Sequence, residues 1–93
     1  MRMLTLKVEL SHGRIVFVRG RAAWSLTELM AAGTTGCSVF DVRAPRWSSY
    51  VHKLRKLGFV IETIRERHRG RFPGHHARYV LRTQVAIIEA IGS

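Results

Sequence analysis

The 93 residues carry a formal net charge of +10, with 46% hydrophobic and 24% charged residues. That length makes one domain, residues 1–93, and the apolar fraction excludes a disordered tail. No apolar run reaches the roughly 20 residues of a membrane span, and no signal-peptide block opens the chain. The single cysteine, Cys37, excludes an internal disulfide and a cysteine-based zinc site, so a reducing cytoplasm is the expected compartment.

Leu4, Leu6, Val8 and Leu10 alternate with Thr5, Lys7 and Glu9, a period of two that predicts a half-buried strand. Residues 11–14 read as a turn and 15–18 as a second strand, which together make an N-terminal β-hairpin. Gly20 breaks that strand. Residues 21–32 predict a first helix with Ala23, Leu26, Leu29 and Met30 on one face and Gly33 as its stop. Ser38 is expected to cap a short second helix over 38–42, which Pro45 keeps from continuing.

The third helix, 45–57, has the clearest pattern. Trp47, Tyr50, Val51, Leu54 and Leu57 fall within a stripe about 120° wide. Pro45 suits its first turn, and Gly58 suits the position after its end. Two strands follow, 59–67 and 77–81, joined by a loop over 68–76 whose glycines and proline mark an exposed tip. The tail, 83–93, is mostly apolar and includes Val85, Ile87, Ile88 and Ile91. It has two possible homes: the N-terminal hairpin, or a neighbouring subunit that it would help assemble. The expected class is α+β: an N-terminal β-hairpin, three helices and a C-terminal β-hairpin wing, the winged helix-turn-helix arrangement.

Charge is concentrated in the second half. Residues 43–82 hold eleven Lys and Arg against two acids, Glu62 and Glu66. Such a field points to nucleic acid. On the third helix the polar face presents Arg46, Ser48, Ser49, His52, Lys53, Arg55 and Lys56. A recognition helix reads base edges mainly from its N-terminal half, which favours Arg46, Ser49, His52 and Lys53 for bases and leaves Arg55 and Lys56 for phosphate. The wing carries Arg65, Arg67, Arg69, Arg71, His75, His76 and Arg78, fitted to the backbone or to a narrow minor groove. Arg69 and Arg71 flank Gly70 and are the first choice for insertion.

Other chemistry has little support. His68, His75 and His76 match no zinc spacing, so no metal and no cofactor is expected. The scattered acids form no catalytic pairing, so the chain is expected not to be an enzyme and to take no small-molecule substrate. Cys37 reads as a buried structural thiol. Trp24, Trp47 and Tyr50 could stack single-stranded bases, but Trp47 and Tyr50 share the apolar stripe, which favours packing.

The pieces Trp24, Gly36-Cys37-Ser38, Pro45 to Tyr50, Leu54 to Gly58, Ile61 to Thr63 and Ala77 to Arg82 carry a family likeness. Over residues 15–82 the chain resembles small winged helix-turn-helix proteins of phages and alphaproteobacterial integrative elements. The resemblance implies an excisionase, or recombination directionality factor, that bends attachment-site DNA and steers a tyrosine integrase. Self-association on nucleoid DNA would go with that role. A transcriptional regulator is the second reading, and an RNA- or ribosome-binding protein is the reading from another class.

Overall fold

The computed structural model describes residues 3–38, 46–68 and 74–92. Strand β1 (Leu4–Leu10) turns through a short 3-10 segment at Ser11–Gly13 into β2 (Ile15–Arg19). Helix α1 (Gly20–Ala32) follows directly, then a 3-10 turn at Gly33–Thr35 and the two-residue strand β3 (Cys37–Ser38). Helix α2 (Trp47–Lys56) leads to β4 (Ile61–His68), β5 (Gly74–Leu81) and β6 (Val85–Gly92). The strands form two antiparallel sheets, ordered β2-β1-β6 and β3-β5-β4.

The expectation of three helices is corrected. The described residues hold two α-helices and six strands. Ser38, expected as a helix cap, is buried in β3, where it pairs with Arg78 while Cys37 pairs with Tyr79. A free sheet edge on β5 gives those two residues backbone partners, and that outweighs the capping tendency of one serine. The remainder of the expected second helix, 39–42, lies outside the described residues, as does Pro45. The second wing strand starts earlier than expected, at Gly74, so His75 and His76 lie within β5 and not in a loop.

The tail is also a strand. β6 runs along β1 from Leu4 opposite Gly92 to Leu10 opposite Val85, with a bulge where Lys7 passes to Val8. The bulge explains why the apolar residues of 85–92 show no strict alternation, since it shifts the side chains after it to the other face.

One apolar core serves both sheets. Leu6 and Val8 of β1, Val16 and Val18 of β2, and Leu26 and Leu29 of α1 meet Trp47, Val51 and Leu54 of α2. The period-two pattern of β1 and the helical stripe of α2 both turn inward, as their sequences require. Trp47 is the hub. Its ring centroid lies 5.8 Å from that of Trp24 on α1 and 6.3 Å from that of Tyr79 on β5. Tyr50 stands edge-on to Trp24 at 6.4 Å. These aromatics are packing groups, and Trp47, 1% exposed, offers no stacking face. No helix among the described residues is long and apolar enough to cross a membrane.

Candidate nucleic-acid interface

Helix α2 is held by its apolar side, so its other side is presented outward. Arg46, Ser48, Ser49, His52, Lys53, Arg55 and Lys56 are all exposed. No acidic residue lies in the first turn, while Lys53, Arg55 and Lys56 occupy the last, where cations complement the helix dipole. Gly58 then turns the chain with φ 108° and places Phe59 in the core.

Arg55 differs from the other six. Its Nε donates to the Ile61 carbonyl at 3.2 Å, and Nη2 donates to Thr63 Oγ1 at 2.9 Å. It fastens the end of α2 to β4. The contact also shows which face of β4 looks toward α2, because Thr63 lies on that face. Side chains two and four residues along a strand share a face, so Arg65 and Arg67 project on the same side, beyond the helix end. Their cross-strand partners are Ala77 and His75. Arg65 and Arg67 therefore lie on the face of β4 that Arg55 reaches from α2.

The opposite face of the wing holds an ion cluster. Arg78 Nε donates to Glu66 Oε2 at 2.9 Å, and His76 Nε2 lies 2.9 Å from Glu66 Oε1. Arg78 Nη1 also donates to the carbonyls of Thr35 and Gly36, at 3.2 and 3.4 Å. Arg78 thus ties the wing to the turn before β3. The Glu66 carboxyl is held below its ordinary value chiefly by the Arg78 hydrogen bond, which desolvation opposes and to which His76 adds a smaller lowering effect. Its contribution to stability is present above the unfolded-state value and is lost as pH falls through the lowered folded-state value. Glu66→Gln is expected to flatten the acid side of the pH–stability profile below about pH 4.5, the ordinary value for a free glutamate. Urea unfolding of both proteins between pH 3 and 7 measures this, and parallel profiles would reject it.

Arg69 and Arg71 lie outside the described residues. Among the described residues, no three His, Cys, Asp or Glu side chains gather where a metal ion could sit. Cys37 is buried, with Sγ 3.5 Å from the Glu28 carbonyl oxygen.

Two cations that sequence reasoning passed over stand beside α2. Arg19, at the end of β2, and Arg21, in the first turn of α1, border a cleft of about 450 Å³ together with Arg46, Ser49, Tyr50 and Lys53. The Arg21 guanidinium lies 5.7 Å from the Trp24 ring centroid. Residues 1–42 carry five bases and three acids, so charge counting along the chain hides this pair.

The arrangement has an outward-facing basic helix, a two-stranded hairpin after it, and a short strand before it that completes the hairpin's sheet. A family model described as a winged helix domain matches residues 15–91. The chain belongs to the winged helix family. The match runs from β2 to β6 and takes in both helices and the β3-β5-β4 sheet, with β4 and β5 as the wing, while β1, the middle strand of the other sheet, lies before it. Winged helix membership points to DNA binding. No curated protein and no solved structure matches the chain.

Proposed function

We propose that the chain binds duplex DNA sequence-specifically and has no enzymatic activity. The observation that carries this reading is that α2 exposes its whole polar side while Arg65 and Arg67 lie on the face of β4 that Arg55 contacts, on a protein with net charge +10. In the mechanism proposed, α2 enters the major groove, with Arg46, Ser49, His52 and Lys53 toward base edges. Lys56 and the wing arginines meet phosphates. Arg55 acts mainly by holding the wing to the helix, and Arg78 by anchoring it from the other face.

The biological role proposed is that of an excisionase at attachment-site DNA, working with a tyrosine integrase. It rests on the sequence resemblance over residues 15–82. Cooperative loading would use the outer edge of β6, where Ile87, Ile88 and Ile91 are exposed. A regulator of a mobile element is the second reading, favoured by the same surface.

A mobility-shift titration on attachment-site, promoter and random duplexes at several salt concentrations tests the proposal. If about six phosphates are neutralised, log K falls with log salt at a slope near −5. Cooperative laddering on the attachment site favours excision, and preference for the promoter favours regulation. Tighter binding to structured RNA than to any duplex would reject DNA as the target. Arg46→Ala is expected to cost about 1–3 kcal/mol at its cognate base pair and to relax specificity there. Equal losses on every sequence would place Arg46 on phosphate instead.

A further inference from the structure

The cleft between the start of α1 and the near flank of α2 adjoins the helix-and-wing interface and shares Arg46, Ser49 and Lys53 with it, but Arg19 and Arg21 belong to neither the helix nor the wing. Arg19, Arg21, Arg46 and Lys53 line it from two helices and the end of a strand, together with Ser49 and Tyr50. None of the four cations has an ion pair with a described carboxylate. Glu66 is taken by His76 and Arg78, and Glu62 by Arg82. Like charges closer than the Debye length of about 10 Å at 0.1 M salt repel one another. A cleft that collects four of them, with two hydroxyl groups able to donate hydrogen bonds, is completed by an anion carrying several acceptor oxygens.

The position of the cleft identifies the anion. Arg46, Ser49 and Lys53 lie on the flank of α2 turned toward α1, whereas Arg55 lies on the flank turned toward β4. The wing arginines therefore stand on one side of the helix and the cleft on the other. A helix in a major groove about 12 Å wide has a phosphate backbone on each side. We propose that Arg19 and Arg21 make this cleft a phosphate clamp for the DNA strand opposite the one held by the wing, while Arg46, Ser49 and Lys53 on its α2 side stay directed at base edges. The inference rests on the duplex-binding reading above. It adds a second backbone contact, on residues outside the basic half of the chain, and makes α2 the middle of a three-point grip.

The test uses the full chain and an Arg19→Gln/Arg21→Gln double variant, with fold checked by circular dichroism and thermal melting. Both are titrated with the preferred duplex and with random duplex across a salt series. The clamp predicts that the variant weakens on both duplexes by about tenfold or more at 0.1 M salt, that its log–log salt slope is shallower by about 1–2, and that its preference between the duplexes is unchanged. A second measurement does not depend on how the variant folds. Single neutral methylphosphonates are placed along each strand of the duplex bound by the unaltered protein. The clamp predicts a sensitive position on the strand opposite the one whose sensitivity is lost in an Arg65→Gln/Arg67→Gln variant.

If the unaltered protein binds no duplex, the functional proposal itself fails. If it binds duplex and the Arg19/Arg21 variant keeps the same slope and affinity, only the clamp is overturned. Stabilisation of the unaltered protein alone by millimolar inorganic phosphate, with an unchanged DNA slope in the variant, would also overturn it and make the cleft a free-anion site. A variant with altered sequence preference and an unaltered slope overturns it in favour of base contact.

Discussion

Replacing Trp47 by alanine is expected to lower the unfolding free energy by about 3–5 kcal/mol. The indole is 1% exposed and is the first residue of α2. Its ring lies between Trp24 of α1 and Tyr79 of β5. Truncation removes the transfer energy of a large side chain and leaves a void that three separate elements would have to close. Two aromatic pairings go with it, each worth about 0.5–1.5 kcal/mol beyond area burial. Domains of this size are stable by about 5–15 kcal/mol, so the change consumes a large part of the margin. Urea unfolding with an unchanged m-value measures the loss. A loss below about 1 kcal/mol would mean the site collapses easily and Trp47 is not the hub described. Trp47→Phe keeps an aromatic ring and should cost less, which separates lost volume from lost helix initiation.

Gly36→Ala is the second large effect, expected at about 2–5 kcal/mol. Gly36 has φ 74° and ψ −178°, a region that essentially only glycine occupies. An added Cβ would lie 2.6 Å from the Tyr79 carbonyl oxygen and 2.7 Å from Val80 Cγ2. Neither neighbour gives easily. Tyr79 is paired with Cys37 across β3 and β5, and Val80 is fully buried. The Gly36 carbonyl also accepts from Arg78, so a shift here disturbs the anchor of the wing. Denaturation measures the total. Amide exchange at Cys37 and Tyr79 should lose protection first, and unchanged exchange there would show that the strain is absorbed elsewhere.

What the sequence revealed depended on local periodicity. The β1–β2 hairpin, α1, α2 and the wing are legible because each repeats its own pattern over enough residues: alternation in Leu4–Leu10, and a helical stripe through Trp47, Val51 and Leu54. β3 was not legible. Two residues carry no period, and Ser38 after a glycine turn looks like a helix start. β6 was hidden for a different reason. Its partner lies at the other end of the chain, and a bulge breaks its alternation. The site divides in the same way. The exposed side of α2 follows from the position of its apolar stripe. The distinct duties of Arg55 and Arg78 do not, because counting charge treats every arginine alike, whereas their carbonyl, hydroxyl and carboxylate partners come from other elements. Arg19 and Arg21 join α2 only after α1 packs against it.

The place of β1 between β2 and β6 sets an order of events during synthesis. The middle strand of that sheet leaves the ribosome early, and its second neighbour, Val85–Gly92, leaves late. At roughly 5–20 residues per second, β1 spends several seconds with only one partner. Its backbone donors and acceptors on the other side then face water or another nascent chain. The closing contact, Leu4 opposite Gly92, spans nearly the whole length, so it is entropically late and holds folding toward the slow end for a domain of this size. The wing and the DNA-facing helix lie between those two strands in sequence. They are fully translated before the sheet behind them can close.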